Sequence, residues 1–162
     1  MKKPPTRVLL CSAVFLFCVC VCVWALAQNL TWETSKDAAL SKAQSQQKLI
    51  LLIVGTDEDP KTAEIKDTIC ESETPPVKSR IQEMYIPWFL DLFNPDLEHV
   101  PYTGGMSGFQ IPVICIIHPD NPDECLDRKM GILSASDLFD WLKTFTFSRS
   151  SVKPPDKHPN NP

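Results

Sequence analysis

The apolar residues of the 162-residue chain fall into short continuous runs separated by stretches with helical spacing. Residues 49–54 form an apolar run that Gly55 ends, which predicts a strand buried on both faces in a central position of a sheet. Thr34 or Ser35 is placed to cap a helix before this strand. The apolar face of that helix is predicted to contain Ala38, Ala39, Leu40 and Ala43.

A helix is predicted after this strand, because Pro60 suits a first helical turn and apolar residues follow at helical spacing. Those residues are Ala63, Ile65, Ile69 and Cys70. The acidic residues 57–59 precede the helix, where its dipole favours negative charge. After the break at Pro75 and Pro76, residues 77–84 predict one or two more helical turns.

Two further apolar segments complete the predicted sheet. "YIPWFLDLF" predicts a strand whose first part is restricted by Pro87, and "IPVICIIHPDNPDECLDRKMG" predicts a hairpin with strands at 113–117 and 125–130. If this hairpin turns about Asn121 and Pro122, His118 faces Cys125. Cys115 then lies three residues out of register, too far for a disulfide without a bulge.

The connection before the hairpin is rich in loop formers, and Gly104, Gly105 and Gly108 permit sharp turns. Ser134 or Ser136 is predicted to cap the last helix. The apolar face of this helix comprises Leu138, Phe139, Trp141 and Leu142. The element order predicts an α/β fold with a mixed sheet, in which the first two strands are parallel and helices cover both faces.

The N-terminal segment reads as a targeting sequence. Lys2, Lys3 and Arg7 precede a long apolar stretch, and "ALA" at 25–27 offers a cleavage site before Gln28. The alternative is an uncleaved helix that tethers the protein to a membrane. We therefore expect an exported domain at 28–147, in the periplasm or the secretory pathway, followed by a disordered Pro-rich tail at 148–162.

The net charge and the number of cysteines exclude some functions of the chain. Removing the three basic residues of the targeting segment from a net charge of −4 leaves −7, which argues against nucleic acid as a partner. Four of the seven cysteines, at positions 11, 18, 20 and 22, lie in the targeting segment. Cys70, Cys115 and Cys125 remain, an odd number that cannot pair completely within one chain.

A metal site or cofactor is not predicted. His118 with Asp120, Asp123, Glu124 and Cys125 matches no compact ligand pattern, and a solvated hairpin turn is the preferred interpretation. His99 and His158 are isolated. The triplet 29–31 is an N-glycosylation sequon, which matters only in a host that glycosylates secreted proteins.

The order of elements resembles the thioredoxin fold, and three sequence segments support the resemblance. "W…AL…A…K…LLIVG" from Trp32 to Gly55 resembles the opening of secreted thioredoxin-like domains, "FQIPVICII" resembles the segment around the family's cis-proline, and "GILSASDLFDWL" resembles its closing helix. The resemblance covers residues 30–147. It implies a three-layer α/β/α architecture and a cis bond between Ile111 and Pro112.

Redox members of this family carry a Cys-X-X-Cys dithiol at the start of the helix after the first core strand. The matching tetrapeptide here is Asp59, Pro60, Lys61 and Thr62, which contains no cysteine. Cys70 lies about two helical turns beyond Thr62 and cannot replace the resolving thiol. Exchange of a dithiol with a disulfide needs an attacking thiolate and a second thiol, and neither is present at this position.

The resemblance therefore implies a non-catalytic module that binds a protein or an unfolded polypeptide. The expected groove is formed by Asp59, Pro60, Lys61, Thr62, Ile111 and Pro112, because redox relatives hold substrate chains along the backbone before the cis-proline. One alternative is an oxidoreductase that uses a single thiol, Cys125 or Cys70, with Cys125 the candidate free thiol. Another is a structural domain whose tail recruits partners.

Overall fold

A computed structural model of the protein describes residues 29–94, 100–103 and 110–148. The expected targeting segment, the expected disordered tail, His99, His158 and the glycines at 104, 105 and 108 lie outside these residues. Among the described residues, no helix has both the length and the apolar character needed to cross a membrane.

Five α-helices and four strands make up the described chain. In chain order they are α1 (Lys36–Gln46), β1 (Leu49–Gly55), α2 (Pro60–Ala63), α3 (Val77–Met84), β2 (Tyr85–Asp91), α4 (Val100–Thr103), β3 (Val113–Ile117), β4 (Cys125–Met130) and α5 (Ala135–Lys143). Helix α2 continues into a π-helical segment, Glu64–Ile69. Ser35 caps α1 and Ser134 caps α5, each accepting a hydrogen bond from a backbone N–H in the first turn.

The four strands form one mixed sheet in the order β2-β1-β3-β4. Strands β1 and β2 are parallel, from Leu49 opposite Tyr85 to Gly55 opposite Asp91. Strand β3 runs antiparallel to β1 and to β4. The predicted central position of β1 and the predicted parallel pair are therefore confirmed.

The outer edge of β2 is also paired. Glu33 forms an isolated parallel bridge with Trp88, through hydrogen bonds from Glu33 N to Pro87 O and from Phe89 N to Glu33 O, each 2.9 Å long. Pro87 lies inside β2, where it cannot donate a ladder hydrogen bond, but its carbonyl group still accepts one.

The hairpin register differs from the prediction only at the turn end of the hairpin. Cys125 lies opposite Ile117 and not opposite His118, and the ladder shifts between Ile116 and Ile117. Beyond this bulge Cys115 lies opposite Arg128. The bulge, which places two residues of one strand against one of the other, has no sequence signal in the turn 119–124.

One face of the sheet packs against α1. Ala39 and Ala43 contact a buried cluster that comprises Ile50, Leu52, Val54, Ile86, Trp88, Leu90, Tyr102, Val113, Cys115 and Ile117. Trp88 and Tyr102 meet edge to face, with ring centroids 5.5 Å apart. Ala38, which was predicted to share this face, is exposed.

The opposite face of the sheet is covered by α3, α5 and the π-helical segment. The Tyr85 hydroxyl donates a 2.6 Å hydrogen bond to Leu142 O of α5, and Lys66 of the π-helical segment lies 4.3 Å from the ring centroid of Phe89. Leu138, Trp141 and Leu142 are buried as predicted, whereas Phe139 is only partly buried. Helices on both faces of one sheet give the predicted three-layer architecture.

Candidate functional site

The tetrapeptide at the family's dithiol position is closed by hydrogen bonds. Asp59 caps α2, and its Oδ2 atom accepts from Thr62 N at 2.8 Å and from Thr62 Oγ1 at 2.9 Å. Thr62 is fully buried, Asp59 is partly buried, and Pro60 and Lys61 are exposed. A polar link therefore joins the first and fourth residues of the tetrapeptide that the sequence resemblance matched to the dithiol.

Gly55 allows the end of β1 to approach this turn closely. A Cβ atom at position 55 would lie 2.4 Å from Thr62 Oγ1 and 2.7 Å from Thr62 Cγ2, closer than real Cβ atoms come. The glycine is thus required for the direct packing of the strand against the first turn of α2. This contact fixes the turn relative to the sheet, and the sequence pattern did not reveal it.

Pro112 lies at the same end of the sheet as this turn. Val113 at the start of β3 is opposite Val54 near the end of β1, so the residues before β3 and those after β1 share one edge. The Ile111–Pro112 peptide bond is cis, as the resemblance implies. Pro112 is buried, and its carbonyl oxygen accepts a 2.8 Å hydrogen bond from Gly131 N. A second cis bond joins Thr74 and Pro75.

Ile111 is partly exposed beside this proline. Within the described part of the chain, no backbone hydrogen bond engages its N–H or its carbonyl group. A backbone with both groups unpaired is able to pair with an extended chain, as an edge strand does.

Three exposed apolar side chains occur at this same end of the sheet. Phe93 follows β2 and is 74% exposed, Met130 ends β4 and is 39% exposed, and Ile132 follows Gly131 and is 42% exposed. We call these three residues the apolar rim. Leu126, the other large apolar side chain that is exposed in the described chain, lies near the start of β4 at the opposite end. The sequence pattern does not reveal the rim, because strand patterns do not show which residues past a strand end stay exposed.

The two thiols considered for single-cysteine chemistry have different environments. Cys70 is fully buried, and its burial, reinforced by Glu71 and Asp67, raises the pKa of its thiol far above the ordinary value. Cys125 is partly buried at the opposite end of the sheet from Pro112, and hydrogen bonding with Cys115 lowers its pKa. Of the two, only Cys125 has the exposure and the thiolate character that a nucleophile needs.

The residues around His118 do not converge on a metal position. Its Nδ1 accepts from Asp120 N at 3.2 Å, its Nε2 lies 3.2 Å from Ser148 O, and its ring stacks on Phe147. In the part of the chain that the structure describes, no three side chains of the types His, Cys, Asp and Glu are grouped so that they could hold a metal ion.

Comparison with solved structures identifies the fold. A thioredoxin from Thermus thermophilus matches with a TM-score of 0.58 at 14% sequence identity, over 72% of this chain and 87% of that one. A disulphide isomerase from Xylella fastidiosa Temecula1 matches with a TM-score of 0.53 at 17% identity, over 73% of this chain and 98% of that one.

The C-terminal domain of DsbD from Neisseria meningitidis, in its oxidised form, gives a TM-score of 0.53 at 14% identity, over 70% of this chain and 98% of that one. No protein-family model and no curated protein sequence matches the chain. The chain is therefore a protein of thioredoxin-like fold. Asp59 and Thr62, which the sequence resemblance matched to the dithiol positions, are not cysteines.

Proposed function

We propose that this domain binds an extended segment of a protein or unfolded polypeptide and performs no dithiol chemistry at residues 59–62. The observation that supports this most strongly is the backbone of Ile111 beside the cis-proline, which has no backbone hydrogen bond among the described residues and lies at the same end of the sheet as the Asp59–Thr62 turn. The proposed groove comprises Asp59, Pro60, Lys61, Thr62, Ile111 and Pro112.

Strand addition explains how such a groove binds without a sulfur atom. Hydrogen bonds to the Ile111 backbone would supply affinity that is independent of the bound sequence, and pockets for alternate side chains would supply selectivity. The apolar rim offers contacts for apolar side chains of the bound segment, since each fully buried large apolar side chain contributes about 1.5–3 kcal/mol. We therefore propose a preference for extended segments that contain apolar residues.

The chemistry of residues 59–62 argues against exchange at this position. The Asp59 carboxylate already accepts two hydrogen bonds from Thr62, so its role in the turn is structural. A hydroxyl group cannot resolve a mixed disulfide. The positive end of the α2 dipole would favour a thiolate in a redox relative. In this chain the group at that position is the Asp59 carboxylate.

The second candidate function is an oxidoreductase that acts through Cys125. The lowered pKa of this partly exposed thiol favours it. The environment of Cys70 gives no such support, because that thiol is fully buried. Recruitment by residues 148–162 alone is a further proposal, and deleting them would abolish partner capture if it is correct.

We also propose that the domain is exported, either cleaved before Gln28 or tethered by its uncleaved N-terminal segment. The basic start, the apolar stretch and the small residues at 25–27 support this proposal. N-terminal sequencing of the mature protein distinguishes the two forms. A product found only in the cytosol would contradict both.

An insulin-reduction assay tests the absence of turnover at the groove. Wild type is expected to match the uncatalysed rate, because no thiol lies at residues 59–62. The variant Asp59→Cys/Thr62→Cys is expected to raise the rate, because it restores two sulfur atoms to the family's positions. The matched control Asp59→Ser/Thr62→Ser changes the same positions without adding sulfur and should remain at the uncatalysed rate.

The same assay separates the two candidate functions. Sustained wild-type turnover that Cys125→Ser abolishes would contradict the non-catalytic proposal and support the single-thiol alternative. Turnover that persists in Cys125→Ser but is lost in Cys70→Ser would assign the chemistry to Cys70 against the structural argument.

A further inference from the structure

Cys115 and Cys125 lie on the same face of the β3–β4 hairpin. Cys115 and Ile117 are two residues apart in β3, so their side chains point to the same face of the sheet. Cys125 lies directly opposite Ile117 and therefore shares that face. Cys125 packs against the buried cluster that contains both Cys115 and Ile117.

The bulge between Ile116 and Ile117 creates this proximity. The regular register expected from the sequence placed Cys125 opposite His118, one position further from Cys115. Diagonal neighbours in a regular ladder are separated by about 7–8 Å between Cα atoms, close to the limit of about 7 Å for a disulfide. A bulge bends its strand and interrupts the ladder, so it allows the small movement that closure needs.

The two thiols differ in access to solvent. Cys115 is fully buried, and its Sγ atom lies 3.5 Å from Tyr102 O. Cys125 is partly exposed at the start of β4. Cys70, the third thiol of the described chain, is fully buried in the helical layer on the other face of the sheet and cannot compete. Access thus distinguishes an outer thiol, Cys125, from an inner thiol, Cys115.

The pKa values of the two thiols also distinguish Cys125 from Cys115. Hydrogen bonding with Cys115 lowers the pKa of Cys125, and Arg128, which lies opposite Cys115, acts in the same direction. Hydrogen bonding with Cys125 raises the pKa of the Cys115 thiol, and burial adds a smaller increase. A Cys125 thiolate next to a Cys115 thiol is therefore the favoured singly ionised form of the pair.

We propose that Cys125 and Cys115 form a thiol–disulfide exchange site for small disulfides, in which Cys125 attacks and Cys115 resolves. The site lies at the opposite end of the sheet from the proposed polypeptide groove and does not depend on it. Its substrate class is a small organic disulfide, because Cys125 is only partly exposed and the inner sulfur is fully buried.

The exchange consists of two displacements. The Cys125 thiolate attacks a disulfide RSSR, which forms a mixed disulfide on Cys125 and releases RS⁻. Cys115 then transfers its proton to a released RS⁻ or to water, and its sulfur attacks the Cys125 sulfur to release the second RS⁻. In sum, two protein thiols are oxidised to one disulfide, and RSSR is reduced to two RSH.

A single round of exchange is expected for each reduced chain. In the product the Cys115 sulfur stays enclosed by the buried cluster, so an external thiol reaches the disulfide only through Cys125. Slow re-reduction is compatible with a wild-type protein that does not turn over insulin. The three cysteines of the domain then comprise one oxidisable pair and one inert thiol.

An aromatic disulfide that releases a coloured thiol tests the site in the folded full domain. Wild type is expected to release about two coloured thiols per chain, to retain no adduct, and to lose two hydrogens in its intact mass. Cys115→Ala and Cys115→Ser should each release about one coloured thiol per chain and retain the mixed disulfide on Cys125. Cys125→Ser should release almost none, and Cys70→Ala should behave as wild type.

Circular dichroism shows whether each variant is folded. Two substitutions of Cys115 are used so that the test can still be made if one of them misfolds. Oxidised glutathione, used as a second probe, should produce the same intramolecular disulfide in wild type. Retention of the adduct by wild type would overturn the resolving role of Cys115. Equal release by Cys125→Ser and wild type would overturn the attacking role of Cys125.

Discussion

Replacing Lys78 with methionine is expected to lower the free energy of unfolding by about 3 kcal/mol. The Lys78 side chain is 8% exposed, and its Nζ atom lies 3.1 Å from Glu71 Oε2 and 3.8 Å from Glu73 Oε1. Methionine keeps much of the volume but removes the charge. It therefore removes the ammonium group that lies beside the Glu71 carboxylate, which is 18% exposed.

A matched variant on the surface provides the control. Lys143 pairs with Asp140 at 2.8 Å, but these side chains are 50% and 68% exposed. Lys143→Met should therefore change the free energy of unfolding by less than about 1 kcal/mol. Urea unfolding of both variants measures the difference. Equal midpoints for the two variants would show that burial does not strengthen the Lys78 pair.

The double variant Lys78→Met/Glu71→Leu tests the reason for the loss. If the cost in the single variant comes from the charge that remains on the partly buried Glu71 carboxylate, removing that carboxylate should restore a large part of the lost stability. A further loss of stability in the double variant would instead indicate that the alkyl stem of Lys78 fills space that methionine does not.

Gly55→Ala is expected to lower the free energy of unfolding by about 2 kcal/mol. The added methyl group would overlap the Thr62 side chain, which is fully buried and whose hydroxyl donates to Asp59. Relief requires β1 or the first turn of α2 to move. The change would thus also displace the turn that forms one side of the proposed groove.

A double-mutant cycle with Thr62→Ala separates overlap from other effects of the new methyl group. Thr62→Ala removes both of the atoms that come within 3.0 Å of the added Cβ. The loss caused by Gly55→Ala should therefore be smaller in the Thr62→Ala background, with a favourable interaction of about 1 kcal/mol. Additive losses in urea unfolding would contradict direct contact between these positions.

The sequence predicted the parts of the fold that depend on local patterns. The continuous apolar run before Gly55 indicated a central strand, and the serines at 35 and 134 indicated two helix caps, because each of these signals lies within a few residues. The cis bond before Pro112 was predicted by resemblance and not by propensity, since cis is the minority state of X-Pro bonds.

Features that depend on distant contacts were not predictable. The bulge in the β3–β4 hairpin depends on how Cys125 packs against the core, and the turn sequence between the strands does not encode it. The pairing of Glu33 with the edge of β2 joins segments that are far apart in the chain. The exposure of the apolar rim likewise depends on which neighbouring segments cover the ends of the strands.

The two proposals for this protein concern opposite ends of one sheet. The groove lies beside Pro112, where β3 begins, and the cysteine pair lies toward the end of β3 and the start of β4. The thioredoxin-like fold keeps these ends apart, so loss of Cys125 should leave polypeptide binding intact. Changes at the rim should likewise leave release of the coloured thiol unchanged.

The most direct test of polypeptide binding at the groove is a titration of the ¹⁵N-labelled domain with an unfolded polypeptide whose thiols are alkylated. Alkylation excludes disulfide exchange, so amide shifts report binding alone. Saturable shifts are expected at the Asp59–Thr62 turn and at Ile111, Gly131 and Ile132. Ile132→Asp should weaken binding about tenfold, and Leu126→Asp, which changes an exposed side chain near the opposite end, should leave it unchanged. Absence of shifts, or shifts confined to the start of β4, would contradict polypeptide binding at the groove.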